Sequence, residues 1–344
     1  MTNITLRDIA DTLNVSISTV SKALSDSHEI SEGTKKRIID YANTHNYYPN
    51  RIAKSLKEGK SKSIGVIVCS IGNAVIAEML DGIDSVCNSH GYHIIIMQSK
   101  ESSEKEKICL QFLDSHSIDG LLISPSSETH GLQNLNKLQK TGLPIVLFDR
   151  LSSDITTHKV GADNYDGGYQ ATTHLIKNGY RRIAHITIRS KFSITTERLE
   201  GYKQALLDNG IPYQEDYVKF CKYTNPIELD NEVTQAITSL MQLPFIPQAI
   251  FTATDQISTR SVGLINKLGY KVPNDFALIG FTNTDMADIL NPSLSTISQP
   301  AFEIGELAAN SLISIIEGKM PSTEFNTIRL PTKIQVRASS IPQI

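Results

Sequence analysis

The chain has 344 residues, 40% hydrophobic and 20% charged, with a formal net charge of -3. That is ordinary for a soluble globular protein and long for one core, so a small head plus a larger bilobed body is expected. No apolar run is long enough to span a bilayer, and the polar start Met1-Thr2-Asn3-Ile4-Thr5-Leu6-Arg7 lacks the apolar stretch of a secretory signal, which points to the cytoplasm. Cys69, Cys87, Cys109 and Cys221 show no CxxC spacing and read as reduced packing thiols, not as a metal site or disulfide framework.

Thr5-Leu6-Arg7-Asp8 has the form of a capping box, and Leu6, Ile9, Ala10 and Leu13 follow at helical spacing. Asn14-Val15 makes a turn and Ser16 is a second N-cap. Val20, Ala23 and Leu24 then give the next helix an inward stripe opposite Ser18, Ser21, Lys22 and Ser25. A third helix runs from the cap candidate Ser31 through Ile38, Ile39 and Ala42. A bare helix-turn-helix pattern is weak by itself, because short capped helices commonly just pack and face water. The next segment adds weight: Pro49-Asn50 presets a new start, after which Arg51, Lys54 and Lys57 lie on one side and Ile52, Ala53 and Leu56 on another. Two helical turns are marginal alone in water, so this segment should fold only against something else, such as DNA and a twin copy.

Three stretches, Thr5-Leu6-x-Asp8-Ile9-Ala10, Val15-Ser16-x-x-Thr19-Val20-Ser21-Lys22-Ala23-Leu24 and Tyr48-Pro49-Asn50-x-x-Ala53-x-Ser55-Leu56, resemble the LacI/GalR family of bacterial transcription regulators. The resemblance extends to Val336-Arg337-Ala338-Ser339, where the family commonly has glycine instead of Ala338. It implies that the recognition helix presents Ile17, Ser18 and Lys22 to base edges and Ser16, Thr19 and Ser21 to phosphates, with Leu6, Ser31 and Thr34 completing the DNA-facing set of the head. Ile17, three residues before Val20, could equally be core. Leu56 is the expected minor-groove wedge, with Ala53 beside it and Asn50 and Arg51 near the backbone. Charge agrees modestly: ten Lys plus Arg stand against seven Asp plus Glu through Lys62, while the remainder is acidic.

After the polar linker Glu58 to Ser63, the run Ile64-Gly65-Val66-Ile67-Val68-Cys69 reads as a buried strand. Further strands are expected at His93 to Gln98, Gly120 to Ser124, Pro144 to Phe148, Arg182 to Thr187, Gln248 to Ala253 and Ala277 to Phe281. They alternate with helix patterns such as Ala77 to Ser89, Gly167 to Asn178 and Arg198 to Asn209. The alternation makes the fold class α/β, with parallel sheets covered by helices. The domains expected are a helix-turn-helix head over 1–48, a hinge helix and linker over 49–62, and an effector-binding and dimerisation body over 63–344. The resemblance implies a periplasmic-binding-protein-like body of two lobes, placed at about 63–161 with 292–323 and about 162–291 with 324–344. Its crossovers fall near Val160 to Asp163, Asn291-Pro292 and Thr323 to Asn326.

Ligands of open α/β sheets lie beyond the carboxyl ends of the strands. The family match implies an effector cleft lined by Asn73, Ile76, Ser124, Asp149, Arg189, Arg198, Thr254 and Thr282. Arg198 stands in Arg198-x-x-Gly201-Tyr202-x-x-Ala205-Leu206, matching a motif whose arginine reaches the effector; a planar guanidinium suits vicinal hydroxyls or a carboxylate. Other positions depart from the family pattern. Val75-Ile76 replaces an aromatic pair, Thr254-Asp255 replaces Asn-Asp, and Thr282 stands where an aspartate is usual. With Arg189 and Lys191 after the strand Ile183 to Ile188, these departures point to an acid-bearing sugar derivative, although outward-pointing charges would read the same.

There is no GxSxG elbow, no GxxxxGK[ST] loop and no HExxH, and the nine histidines are scattered; His174 and His185 read as packing or hydrogen-bonding residues. No catalytic, metal or cofactor site is expected. The reading is a ligand-responsive homodimeric regulator, a repressor of carbohydrate-related genes, that binds a pseudo-palindromic double-stranded operator and a small-molecule sugar or sugar derivative. A transporter's solute-binding protein would suit the body but not the head or the missing signal segment. An enzyme on this scaffold lacks a nucleophile and an acid–base pair. The closing residues carry no leucine heptad, so no coiled-coil device for tetramers is expected.

Overall fold

The computed structural model describes residues 4–45, 47, 61–126, 131–188, 193–222, 226–321 and 324–342. Two compact units divide the chain, Met1–Ser61 and Lys62–Ile344. The proposed hinge positions Asn50, Arg51, Ala53 and Leu56, together with Arg189 and Lys191, lie outside the described residues.

The first unit holds α1 (Leu6–Leu13), α2 (Ile17–Leu24) and α3 (Glu32–Thr44). The capping box forms as the sequence predicts: Thr5 N donates to Asp8 Oδ2 at 2.8 Å and Asp8 N to Thr5 Oγ1 at 3.3 Å. Asn14 closes α1 in the left-handed region, where its short polar side chain is tolerated. Ser16 accepts from Thr19 N at 3.0 Å and starts α2. Ser31 stands at the N-cap of α3 but makes no bond to the helix backbone; its hydroxyl lies 2.9 Å from that of Thr34. Ile9, Ala10, Val20, Ala23, Ile38 and Ala42 form the core of this unit, and Arg37 Nη2 donates to Leu13 O at 3.1 Å to tie α3 to the end of α1. Ile39 is exposed, outside that core.

The second unit contains two six-stranded sheets. The first lobe has β1 (Ser63–Val68), α4 (Ala74–Ser89), β2 (His93–Gln98), α5 (Ser103–Ser115), β3 (Gly120–Ile123), α6 (Gly131–Lys140), β4 (Ile145–Phe148) and β5 (His158–Ala162). The second has α7 (Asn164–Lys177), β6 (Ile183–Ile188), α8 (Ser193–Asp208), β7 (Val218–Cys221), α9 (Pro226–Met241), β8 (Ala249–Thr252), α10 (Asp255–Lys267), β9 (Ala277–Phe281) and β10 (Ser295–Ser298). The chain then returns to the first lobe for α11 (Ala301–Ile316) and β11 (Thr327–Leu330), and to the second for β12 (Lys333–Gln335). Sheet orders are β11-β5-β4-β3-β1-β2 and β12-β10-β9-β8-β6-β7, parallel throughout except for β12 against β10.

Sheet membership corrects two of the expected crossovers. The first falls at Asp163, within the predicted break. The second lies at Gln299-Pro300, because β10 pairs with β9, and the third at Pro331-Thr332, because β11 pairs with β5. The lobes are therefore about 62–162 with 301–330 and about 163–298 with 333–340.

Each lobe has one close helix pair built on reciprocal glycines. A Cβ on Gly82 of α4 would stand 2.1 Å from Phe302 O, and one on Gly305 of α11 2.0 Å from Met79 O. In the second lobe a Cβ on Gly168 of α7 would stand 2.3 Å from Arg198 O, and one on Gly201 of α8 2.1 Å from Tyr165 O. Only glycine permits such backbone contact, so these four positions fix how α4 meets α11 and how α8 meets α7. The four cysteines are buried and unbridged. No helix among the described residues is long and apolar enough to cross a membrane.

Candidate functional site

The head presents one polar face. Val20 and Ala23 turn α2 inward, which leaves Ile17, Ser18 and Lys22 exposed and Thr19 and Ser21 half-buried. Ile17 is 42% exposed, which settles its ambiguity in favour of an outward position. Ser16 is occupied as the helix cap, and Leu6 is half-buried against the head's core. Lys22 pairs with Glu29. Both partners are well exposed, and such a pair is weak enough for the ammonium to exchange Glu29 for another acceptor.

In the second unit the loops after β1, β3, β4, β8 and β9 converge at the carboxyl ends of the two sheets, where this topology places ligands. Asp149 follows β4 with φ 61°, a left-handed turn that an aspartate tolerates better than most residues. The turn brings its carboxylate to the fully buried Ser124, whose hydroxyl donates to Oδ2 at 2.9 Å. Burial raises the Asp149 pKa, against the pull of Arg150, the Ser124 bond and Arg198. Arg150 is held by both oxygens of Glu101, at 2.5 and 2.7 Å, and by Pro125 O at 3.2 Å.

Arg198 is buried and fixed on three sides. Nε and Nη2 donate to Asn164 Oδ1 at 2.9 and 2.7 Å, and Nη1 donates to Ala253 O at 2.6 Å. The guanidinium carbon lies 3.4 Å from the centroid of Phe281. Burial pulls its pKa down, while Asp149, Glu197 and Asp255 favour the charged form. The glycine of its sequence motif, Gly201, is the one that seats α8 on α7.

Among the described candidates Asn73, Asp149 and Thr254 are half-buried, whereas Ile76, Ser124, Arg198 and Thr282 are buried. Ile76 is corrected: it is 2% exposed and belongs to the core of the first lobe, because the first turn of α4 directs it inward. Asn73 caps α4, accepting from Val75 N at 3.0 Å, and Thr254 caps α10, accepting from Ile257 N at 3.4 Å. Thr282 is closed off from solvent; it donates to Asp255 Oδ1 and accepts from Thr284 N at 3.0 Å. Ser124 and Thr282, both closed to solvent, thus each hold a carboxylate at this end of the sheets. His174 Nε2 meets Ser340 Oγ at 2.7 Å, and the buried His185 meets Phe251 O through Nδ1 at 3.2 Å, both structural roles.

Asp255, Glu78, Asn164, Asn283 and Glu101 are absent from the sequence-based set. Burial raises the pKa of Asp255 against its Thr282 bond and the charge of Arg198. Asn283, after β9, donates to Glu78 Oε2 on α4 at 2.8 Å, across the lobes. Glu197 of α8 and Arg329 of β11 form a second interlobe tie through two bonds of 2.9 Å. Asp255 was legible beside Thr254. The others depend on partners more than thirty residues away and carry no local signal.

Among the described residues, Asp149, Asp255 and Glu78 each accept a single side-chain hydrogen bond, which leaves acceptor capacity in all three. No group of three or more His, Cys, Asp or Glu among the described residues could hold a metal ion.

Comparison with known proteins agrees with this arrangement. The model of bacterial regulatory proteins of the lacI family matches residues 5–50, and that of periplasmic binding protein-like domains matches 172–340. The HTH-type transcriptional regulator GntR of Escherichia coli (strain K12) is 31% identical over 315 residues, 91% of this chain and 92% of its own length. A solved complex of the transcriptional regulator CelR with cellobiose is 25% identical with a TM-score of 0.73, covering 98% of this chain and 100% of that one. The lac repressor dimer bound to operator and an anti-inducer shares the fold, with a TM-score of 0.86 at 22% identity, covering 99% of this chain and 100% of that one. With a helix-turn-helix head, a two-lobed parallel-sheet body and full-length relatives of this kind, the chain belongs to the LacI family of bacterial regulatory proteins, as a ligand-responsive DNA-binding transcriptional regulator and not an enzyme.

Proposed function

We propose that the protein is a homodimeric repressor of carbohydrate-related genes that reads a pseudo-palindromic operator with α2 and releases or tightens its grip when a sugar fills the cleft. The observation that carries the ligand class is the set Asp149, Asp255 and Glu78, three carboxylates with unused acceptor capacity beside an arginine already held by the protein. Such a lining suits a ligand rich in hydroxyl donors. Arg150 and Arg198 have their main bonds inside the protein. A hydroxyl-rich uncharged sugar therefore replaces the acid-bearing one expected from Arg189 and Lys191, and the cellobiose bound by CelR is of that class.

Dimerisation is supported by the uncovered edge of each sheet. On the edge strand β2 Ile96 is 42% exposed while Ile94, Ile95 and Met97 pack against the cores of the lobe, and Phe220 on the edge strand β7 is 44% exposed. Apolar edges of this kind are ordinarily covered. In this reading residues 49–62 couple the body to DNA. Because so short a helix is marginal alone, a few kcal/mol of differential affinity between lobe arrangements suffices to switch it.

Selection of bound duplexes from a random pool, followed by thermal-shift and operator-binding measurements with neutral disaccharides and uronates, tests the proposal. An inverted repeat and selective stabilisation by neutral sugars are expected. A single unrepeated site contradicts the dimer, and stabilisation only by uronates contradicts the ligand class.

A further inference from the structure

We infer a second small-molecule site, apart from the interlobe cleft, that takes a ligand with a flat apolar body and one negative charge, such as an aryl carboxylate. A cavity of about 430 Å³ opens at the amino-terminal end of β6, the end of the second sheet opposite the cleft. That volume lies within the range of small-molecule sites.

Much of its wall is hydrocarbon for a specific reason. Tyr202 and Tyr217 are buried and line it, and both phenols are already engaged: Tyr202 donates to the carbonyl of Ile183, itself a lining residue, at 2.8 Å and Tyr217 to Phe245 O at 2.6 Å. With their hydroxyls engaged, the rings offer the cavity mainly hydrocarbon, which Leu206, Ile211 and Pro212 extend, and Gln214 is the uncharged amide of the lining.

The rim is cationic. Arg181 and Arg182 are exposed at the mouth, and Arg182 Nε donates to Ile246 O at 2.7 Å, which pins its guanidinium and leaves both Nη groups without a hydrogen bond among the described residues. Neither arginine forms an ion pair with a described carboxylate. Glu215 and Asp216, just before Tyr217, are exposed and make no such pair. An apolar well beside two unneutralised, planar donors is complementary to an amphiphilic acid; a neutral polyol would leave the well's hydrocarbon without a partner. Tyr202 stands one helical turn after Arg198 on α8, so an occupant would bear on the helix that holds the cleft arginine.

The test uses 2-naphthoate and its neutral amide against the full chain. The sequence has no tryptophan, so Pro212→Trp places the sole indole at the rim. Calorimetry on the unaltered chain guards against the indole blocking entry. Naphthoate is expected to quench the indole and to bind at least about tenfold tighter than the amide, with about tenfold loss in Arg181→Glu and Arg182→Lys and no loss in the cleft variant Asp149→Asn. Equal binding of acid and amide, indifference to both arginine substitutions, loss in Asp149→Asn, or no binding by calorimetry would each overturn the inference. Of these results only loss in Asp149→Asn bears on the cleft, since it would place naphthoate there.

Discussion

Asn283 Nδ2 donates at 2.8 Å to Glu78 Oε2 and at 2.8 Å to Gln299 O, so one amide joins α4 of the first lobe, the loop after β9 of the second, and the crossover between them. Gln299 N returns a 2.8 Å bond to Asn283 Oδ1. Burial raises the pKa of Glu78 against this bond, and Asp255 and Asp81 raise it further. Loss of a hydrogen bond to a charged, half-buried acceptor costs about 1.5–3 kcal/mol. Glu78→Ala is therefore expected to let the ligand-free lobes open, seen as a larger radius of gyration in solution scattering, while Glu78→Gln keeps an acceptor and changes less. Identical scattering from all three proteins would remove the latch from the account.

Gly168 sets the height of α8 above α7, and with it the position of Arg198. Gly168→Ala places a methyl against the Arg198 carbonyl, and overpacking of this kind costs about 1–3 kcal/mol. The expected result is a lower urea midpoint together with weakened effector binding but retained operator binding. Normal effector affinity in a destabilised variant would separate the helix crossing from the site.

His185 is buried between Tyr202 and Phe251, and burial lowers its pKa to about 3, against the Phe251 hydrogen bond that raises it. A histidine whose folded pKa is depressed takes up its proton in the unfolded chain first. Stability is whole above the ordinary histidine pKa and declines as pH falls from about 6.5 toward 3, by up to about 1.4 kcal/mol per pH unit from this residue. Asp149, Asp255 and Glu78 oppose that slope, since raised carboxylate pKa values favour proton uptake by the folded protein. The comparison of His185→Phe with the parent isolates the histidine: between pH 6 and 4 the variant should lose less stability on acidification. Parallel curves would contradict this.

Ile17 and Lys22 project from α2 outside the core of the head. Ile17→Ser should change stability by less than about 1 kcal/mol, as exposed positions do, yet alter operator preference. Lys22→Met should reduce discrimination at one base pair by about 1–3 kcal/mol. Competition binding with operator variants at fixed salt measures both. Uniform weakening across all sequences would assign these residues to phosphates instead.

What could be read from sequence was local. Thr5 with Asp8, and Ser16 with Thr19, are separated by three residues, so the caps of α1 and α2 were visible as spacing. Long apolar strands such as Ile64 to Val68 announced themselves as well. Strands β5, β10 and β12 did not, because His158-Lys159-Val160-Gly161-Ala162, Ser295-Thr296-Ile297-Ser298 and Lys333-Ile334-Gln335 are short and partly polar, and on one side β5 pairs with the distant β11 and β10 with the distant β12. The misplaced crossovers follow from those missed pairings. At the cleft, Asp149 and Arg198 were found through family motifs, whereas Ile76 was misassigned because the motif position gives no sign that it packs, with Val75, into the core of the first lobe. Glu78 and Asn283, 205 residues apart, meet only in the folded body.

The central claim is that occupancy of the cleft at Asp149 and Arg198 governs operator affinity. The most direct measurement is the binding isotherm of a selected operator duplex, with and without a stabilising sugar, for the parent chain and for Asp149→Asn. At least a fivefold ligand-dependent shift is expected in the parent, in the range typical of coupled sites. In Asp149→Asn the affinity without sugar should be unchanged, with little or no shift when sugar is present. A variant that binds operator and answers the sugar at the same midpoint as the parent would contradict that claim.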